Sequence, residues 1–153
     1  MAQTTVEARQ QLLDAVAEAT DAIGLALASL GAAYEQLDEY HAGQLEEELF
    51  RPVQLAYGRA KRTHAQFAGR HGLPGRTFEQ PSPGFASIGV KGFIDNAVGA
   101  VGHADSALAA LQDSMLPVEV GDPELRAALA ELRELVGGLA ERARAIVRTI
   151  GRY

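Results

Sequence analysis

The chain has no cysteine, and that absence removes three kinds of chemistry at once. Disulfides, thiolate metal sites and cysteine nucleophiles are all excluded. Lysine is nearly missing too, with arginine outnumbering it 12 to 2, and Asn96 is the only asparagine. With the abundant Ala, Leu and Gly, this bias matches the codon usage of a GC-rich genome. Long apolar runs are lacking. The longest uncharged stretch, residues 22–34, is shorter than the roughly 20 residues that cross a bilayer. The first residues (Met1-Ala2-Gln3-Thr4-Thr5-Val6-Glu7) have neither the basic start nor the apolar stretch of a signal peptide. A net charge of −6 argues against nucleic acid or a membrane surface as partner. The expectation is a cytoplasmic protein in which residues 1–153 form a single domain.

What is present is helical periodicity. Val6, Leu13, Val16, Thr20, Ile23, Leu27, Leu30, Tyr34, Leu37 and His41 lie on one face of a helix, with Gly43 placed to stop it. A second stripe runs Leu45, Leu49, Val53, Ala56, Ala60, Thr63, Phe67, with Pro52 as its weak point. Helix 2 therefore begins near Gln44 and bends, or begins at Pro52. Residues 72–86 hold three Pro and three Gly and read as a long loop. Helix 3 follows from Val90 through Ile94, Val101 and Leu108 to Met115. After the Gly121-Asp122-Pro123 turn, helix 4 runs from Leu125 through Leu132 and Leu139 to Ile150. Each stripe is apolar on one face only, which predicts an all-α, up-down-up-down four-helix bundle with the long loop between helices 2 and 3.

Charge is sorted along the chain. Residues 1–50 hold ten acidic side chains and only Arg9. Residues 51–78 hold six basic side chains and no acid. In an up-down-up-down bundle the C-terminal ends of helices 2 and 4 meet, so one end is basic with the 72–86 loop over it. Arg59, Arg62, His64, Arg70 and His71 are the candidate ligands there for a small anion, because arginine grips phosphate or carboxylate with paired hydrogen bonds. No di-metal carboxylate pattern, phosphate loop, nucleophile elbow or dinucleotide fingerprint occurs, and no cofactor or metal is expected.

The segment Arg59-Ala60-Lys61-Arg62-Thr63-His64 has an Arg-x4-His spacing that resembles the motif of HEPN-type ribonucleases, which are also small helical bundles. The resemblance implies phosphate binding and proton transfer by Arg59 and His64. In that family the motif lies near the last helix; here it lies in the second.

Helix 3 carries glycines that a bare polar surface does not need, each costing about 0.5–1 kcal/mol relative to Ala. Opposite its core stripe lie Gly92, Asn96, Gly99, His103 and Ser106, a face of mostly small residues that lets a second backbone approach. The leading functional expectation is a non-enzymatic interaction or scaffold protein that forms a homodimer through this face and has a protein partner. The alternative is a small-molecule binding protein or enzyme with its site at the basic end.

Overall fold

A computed structural model describes residues 4–150, and all regular secondary structure among them is helical, with no strand. The first helix, α1 (Thr5–Gln36), starts where the Thr4 hydroxyl accepts the Glu7 N–H. It buries two stripes, because Leu12, Ala19, Ala26 and Ala33 are inward as well as Leu13, Val16, Ile23 and Leu30. Two neighbours account for both: α1 packs against α4 on one side and α3 on the other. This explains why α1 is long and apolar enough to cross a membrane by composition, while 61% of that window is buried inside the protein.

Three helix boundaries differ from those the sequence predicts. Helix 1 stops at Gln36, seven residues before Gly43, because Asp38 caps a new helix by accepting the His41 N–H. His41 is therefore only half-buried, and Val6 at the other end is exposed. Helix 2 begins neither at Gln44 nor at Pro52. Helix α2 (Glu39–Leu45) runs through a π-turn at Glu46–Phe50 directly into α3 (Arg51–Arg70). The Arg51 N–H reaches back to the Glu46 carbonyl. That wider register absorbs Pro52, whose ring would otherwise press on the carbonyl four residues earlier. Helix 4 is likewise two helices, α6 (Pro123–Gly137) and α7 (Leu139–Ile150), divided at Gly138.

Helix α3 ends at His71, followed by Gly72 at φ +65°, with Leu73 N–H closing on the Ala68 carbonyl. Residues 73–85 then carry no helix until a short 3₁₀ turn (Ala86–Ile88) leads into α4 (Gly89–Asp113). The short α5 (Leu116–Glu119) joins α4 to α6, and Met115 beside it is exposed rather than core.

The direction of the helices differs from the expected order. Arg70 and His71, at the end of α3, bind Asp122, at the start of α6. Arg9 near the start of α1 donates to the Val120 carbonyl at the same end. At the opposite end Gln36 donates to the Ala86 carbonyl. So α1 and α6–α7 run one way while α3 and α4 both run the other. The order is up-down-down-up, and every long helix packs against antiparallel neighbours. Residues 73–85 make this possible. At ~3.3 Å per extended residue they reach about 43 Å, enough to cross from the end of α3 to the start of α4, a span comparable to the roughly 37 Å length of the 25-residue α4.

Candidate functional site

The reversal of α4, and with it of α6–α7, removes the basic end, because α3 and α7 now finish at opposite ends of the bundle. The last turn of α3 faces the first turn of α6, so cations meet acids instead of one another. Arg70 Nε and Nη2 donate to the two Asp122 oxygens at 2.8 and 2.9 Å, and Nη1 lies 3.1 Å from Glu124. His71 Nε2 is 2.9 Å from Asp122 Oδ2, while its ring packs on Phe67. Burial alone would raise the Asp122 pKa. The Arg70 hydrogen bonds, the Leu125 N–H and His71 outweigh it and hold the carboxyl well below the usual carboxylate range. Arg59 pairs with Glu131 on α6, and Arg62 is exposed. Of the five expected anion ligands, His64 alone is brought under the 73–85 segment. Arg59 and His64 also part company: one meets α6, the other faces α1. The ribonuclease-like pairing of those two residues is therefore not assembled.

The recess beneath the loop is a groove of about 940 Å³ between α1, α4 and residues 74–81, with His64 in its wall. The loop is pinned beside it. Arg76 holds both oxygens of Asp21 at 3.0 Å, and Phe78 stands edge-on to the His64 ring with centroids 5.1 Å apart. His64 is 4% exposed. It comes inward because it sits four residues from both Ala60 and Ala68, which widens the α3 stripe beyond Thr63 and Phe67. Its Nδ1 is fully buried with no hydrogen-bond partner. Such an orphan costs about 1–3 kcal/mol, and native proteins seldom carry one without a use. Burial, aided by the Arg76 charge, lowers the pKa of this ring from its ordinary 6.5 and keeps it neutral; Asp14 and Asp21 oppose the shift.

Across the groove, α1 contributes Asp14, Glu18 and Asp21, and α4 contributes His103 and Ala100. The three acids follow the i, i+4, i+7 rule and so share one face of α1. That spacing was available in the sequence, as was the inward position of His64. Neither pointed to a site, because only the crossing loop brings them together. His103 Nε2 lies 3.5 Å from Glu18 Oε1, which places His103 in the groove rather than purely on the glycine face.

The rest of that face divides. Gly92 serves the chain itself, since a Cβ there would sit 2.7 Å from Ile88 Cγ2. Asn96, Gly99 and Ser106 are exposed, and a Cβ at Gly99 or at Gly102 would meet nothing within 4 Å. Among the described residues no group of three or more His, Asp or Glu side chains converges as a metal site. No family model, no curated protein and no solved structure matches this chain.

Proposed function

We propose that this chain is a four-helix bundle with one crossover connection that binds a small molecule in the groove beneath residues 73–85. The observation that carries this reading is the groove of about 940 Å³ beneath the pinned 73–85 segment, with the nearly buried His64 among its lining residues. A purely structural core would favour an apolar side chain at the position. The volume falls within the roughly 300–1,000 Å³ of ordinary ligand sites, and none of the residues at hand is a nucleophile poised beside a base. Binding rather than catalysis is the function this arrangement supports.

His64→Phe separates binding from stability. The variant is expected to be about 1 kcal/mol more stable at pH 7.5, since it exchanges an unsatisfied polar ring for an apolar one of similar shape. The native ring has a lowered pKa, so the unfolded state binds the extra proton as pH falls through about 6.5. Wild-type stability should accordingly drop on acidification below that point, and His64→Phe should flatten the slope. Urea unfolding at pH 7.5 and 5.5 measures both. Amide shifts on adding a fragment mixture should cluster on α1 and residues 73–85 in wild type and vanish in His64→Phe. Shifts that ignore the groove, or persist unchanged in the variant, would sink the reading.

Self-association is a second reading, supported by the α4 face of Asn96, Gly99 and Ser106, which is exposed among the described residues. Sedimentation equilibrium is the check. Gly99→Leu should convert a dimer to monomer with little loss of helicity, and a dimer indifferent to that change does not use this face.

A further inference from the structure

We propose that residues 73–83 form a hinged strap that lifts from the bundle when His64 beneath it takes up a proton. The strap is bounded by two glycines in backbone conformations that other residues rarely adopt, Gly72 at φ +65° and Gly84 at φ +101°. Between them Pro74, Pro81 and Pro83 restrict the backbone, so rotation concentrates at the ends. Attachment to the helices is sparse. Among the described residues, the Leu73 N–H to the Ala68 carbonyl is the strap's one backbone hydrogen bond to a helix. Beyond it, two side chains do the fastening, Arg76 on Asp21 and Phe78 on His64. The ion pair is about half-exposed, so solvent screens it. Arg76 also lies over the Phe78 ring, 4.5 Å from its centroid, so the two tethers support each other and release together. A segment fastened so lightly opens at far lower cost than the bundle unfolds.

What lies beneath the strap makes its opening answer to pH. His64 is 4% exposed, with Phe78 against its ring and no hydrogen-bond partner at Nδ1. Charged and titratable groups surround it on every side. Helix α1 brings Asp14, Glu18 and Asp21, and α4 brings His103. The strap brings Arg76, together with Glu79, whose charge reaches Tyr57, and α3 itself brings Lys61 over that tyrosine. Burial and the Arg76 charge outweigh Asp14 and Asp21 and lower the pKa of the ring while the strap is closed. Lifting the strap takes away both causes, because water reaches the face that Phe78 covers and Arg76 leaves with the segment. The open state therefore takes up the proton more readily. The closed strap is fully favoured above about pH 6.5, the exposed ring's own value, and loses ground as pH falls below it. This holds whether or not a ligand occupies the groove.

With no native cysteine, spin labels can be placed at chosen sites. Thr77→Cys, between the two tethers, and Arg62→Cys, on an exposed turn of α3, report the distance from strap to helix. Double electron–electron resonance should give one main distance at pH 7.5. At pH 5.0 a longer one should grow several-fold in population, up to a ceiling of about 30-fold set by the exposed ring's pKa of 6.5. Helicity by circular dichroism should not change between the two. Arg76→Gln should raise the longer population at both pH values and keep the response to acid, which makes that response readable even where wild type opens rarely. His64→Phe should hold the strap closed throughout. A distance distribution that ignores pH in both wild type and Arg76→Gln overturns the switch. A longer distance at pH 5.0 that survives His64→Phe overturns His64 as its trigger. One that arrives with lost helicity is unfolding of the bundle, and overturns the proposal too.

Discussion

Asp122→Ala is expected to destabilise the protein by about 2–3 kcal/mol, since it removes a helix cap worth ~1 kcal/mol and a charge-assisted pair worth ~1.5–3. The carboxylate does several things from one place. It accepts the Leu125 N–H at 2.7 Å, it takes both arms of Arg70, and it holds His71. Its side chain is 19% exposed and that of Arg70 is 28%, so solvent screens the pair only in part. Glu124 remains as a fallback partner for Arg70, which keeps the loss below the plain sum. Asp122→Asn keeps a capping oxygen and loses the charge, and should cost about half as much.

The pH dependence follows from the depressed carboxyl. Its folded value lies below the unfolded one, so the stabilisation is complete above the unfolded value and is lost as pH falls through the folded one. The gap between wild type and Asp122→Asn should be full above about pH 5 and narrow steadily below about pH 4. Guanidinium unfolding across that range measures it. A gap that stays constant down to pH 2.5 would show that the charge contributes nothing and only the cap matters.

Gly121→Ala is expected to cost a similar amount, about 2–3 kcal/mol, because the new methyl has nowhere to go. Its carbon would lie 2.4 Å from the Pro117 carbonyl oxygen and 3.0 Å from Leu125 Cδ2. The first of these is backbone and cannot swing aside. Relief requires moving α5 away from α6, which would strain the Arg126 bond to that same carbonyl and the Arg9 bond to Val120. For a domain of this size the melting temperature should fall by about 5–10 °C. Gly99→Ala is the matched control: its methyl meets open space, and it should gain about 0.5–1 kcal/mol of helix propensity. Thermal melts of the two variants side by side are decisive. Equal melting temperatures would mean that the α5–α6 junction yields freely.

Helix content was legible in the sequence because each long helix buries a stripe, and stripes at 3.6-residue spacing survive without any knowledge of partners. The Asp122-Pro123 start of α6 was legible for a local reason, a capping side chain followed by proline at the first helical position. Boundaries failed where two local signals competed. Gly43 suggested a stop, yet Asp38 had already capped the next helix, and glycine within a helix costs less than a good cap returns. Pro52 suggested a start or a kink. The π-turn supplied a third solution that periodicity does not reveal, because the stripe continues through it.

The candidate site was misplaced for a single reason. Local signals were enough to specify an all-helical chain, its apolar stripes, its caps and the acidic and basic blocks along it. Those features depend on residues within a turn or two of one another. Which blocks face each other depends instead on long-range packing and on the path of residues 73–85, which carry no periodicity of their own. By crossing the length of the bundle instead of turning back at once, the loop reverses α4 and, after it, α6–α7. The arginines of α3 are then neutralised by α6, and a buried histidine faces the acidic side of α1. A connection long enough to span the bundle leaves helix direction open to long-range packing, and the electrostatic character of the site is fixed with it.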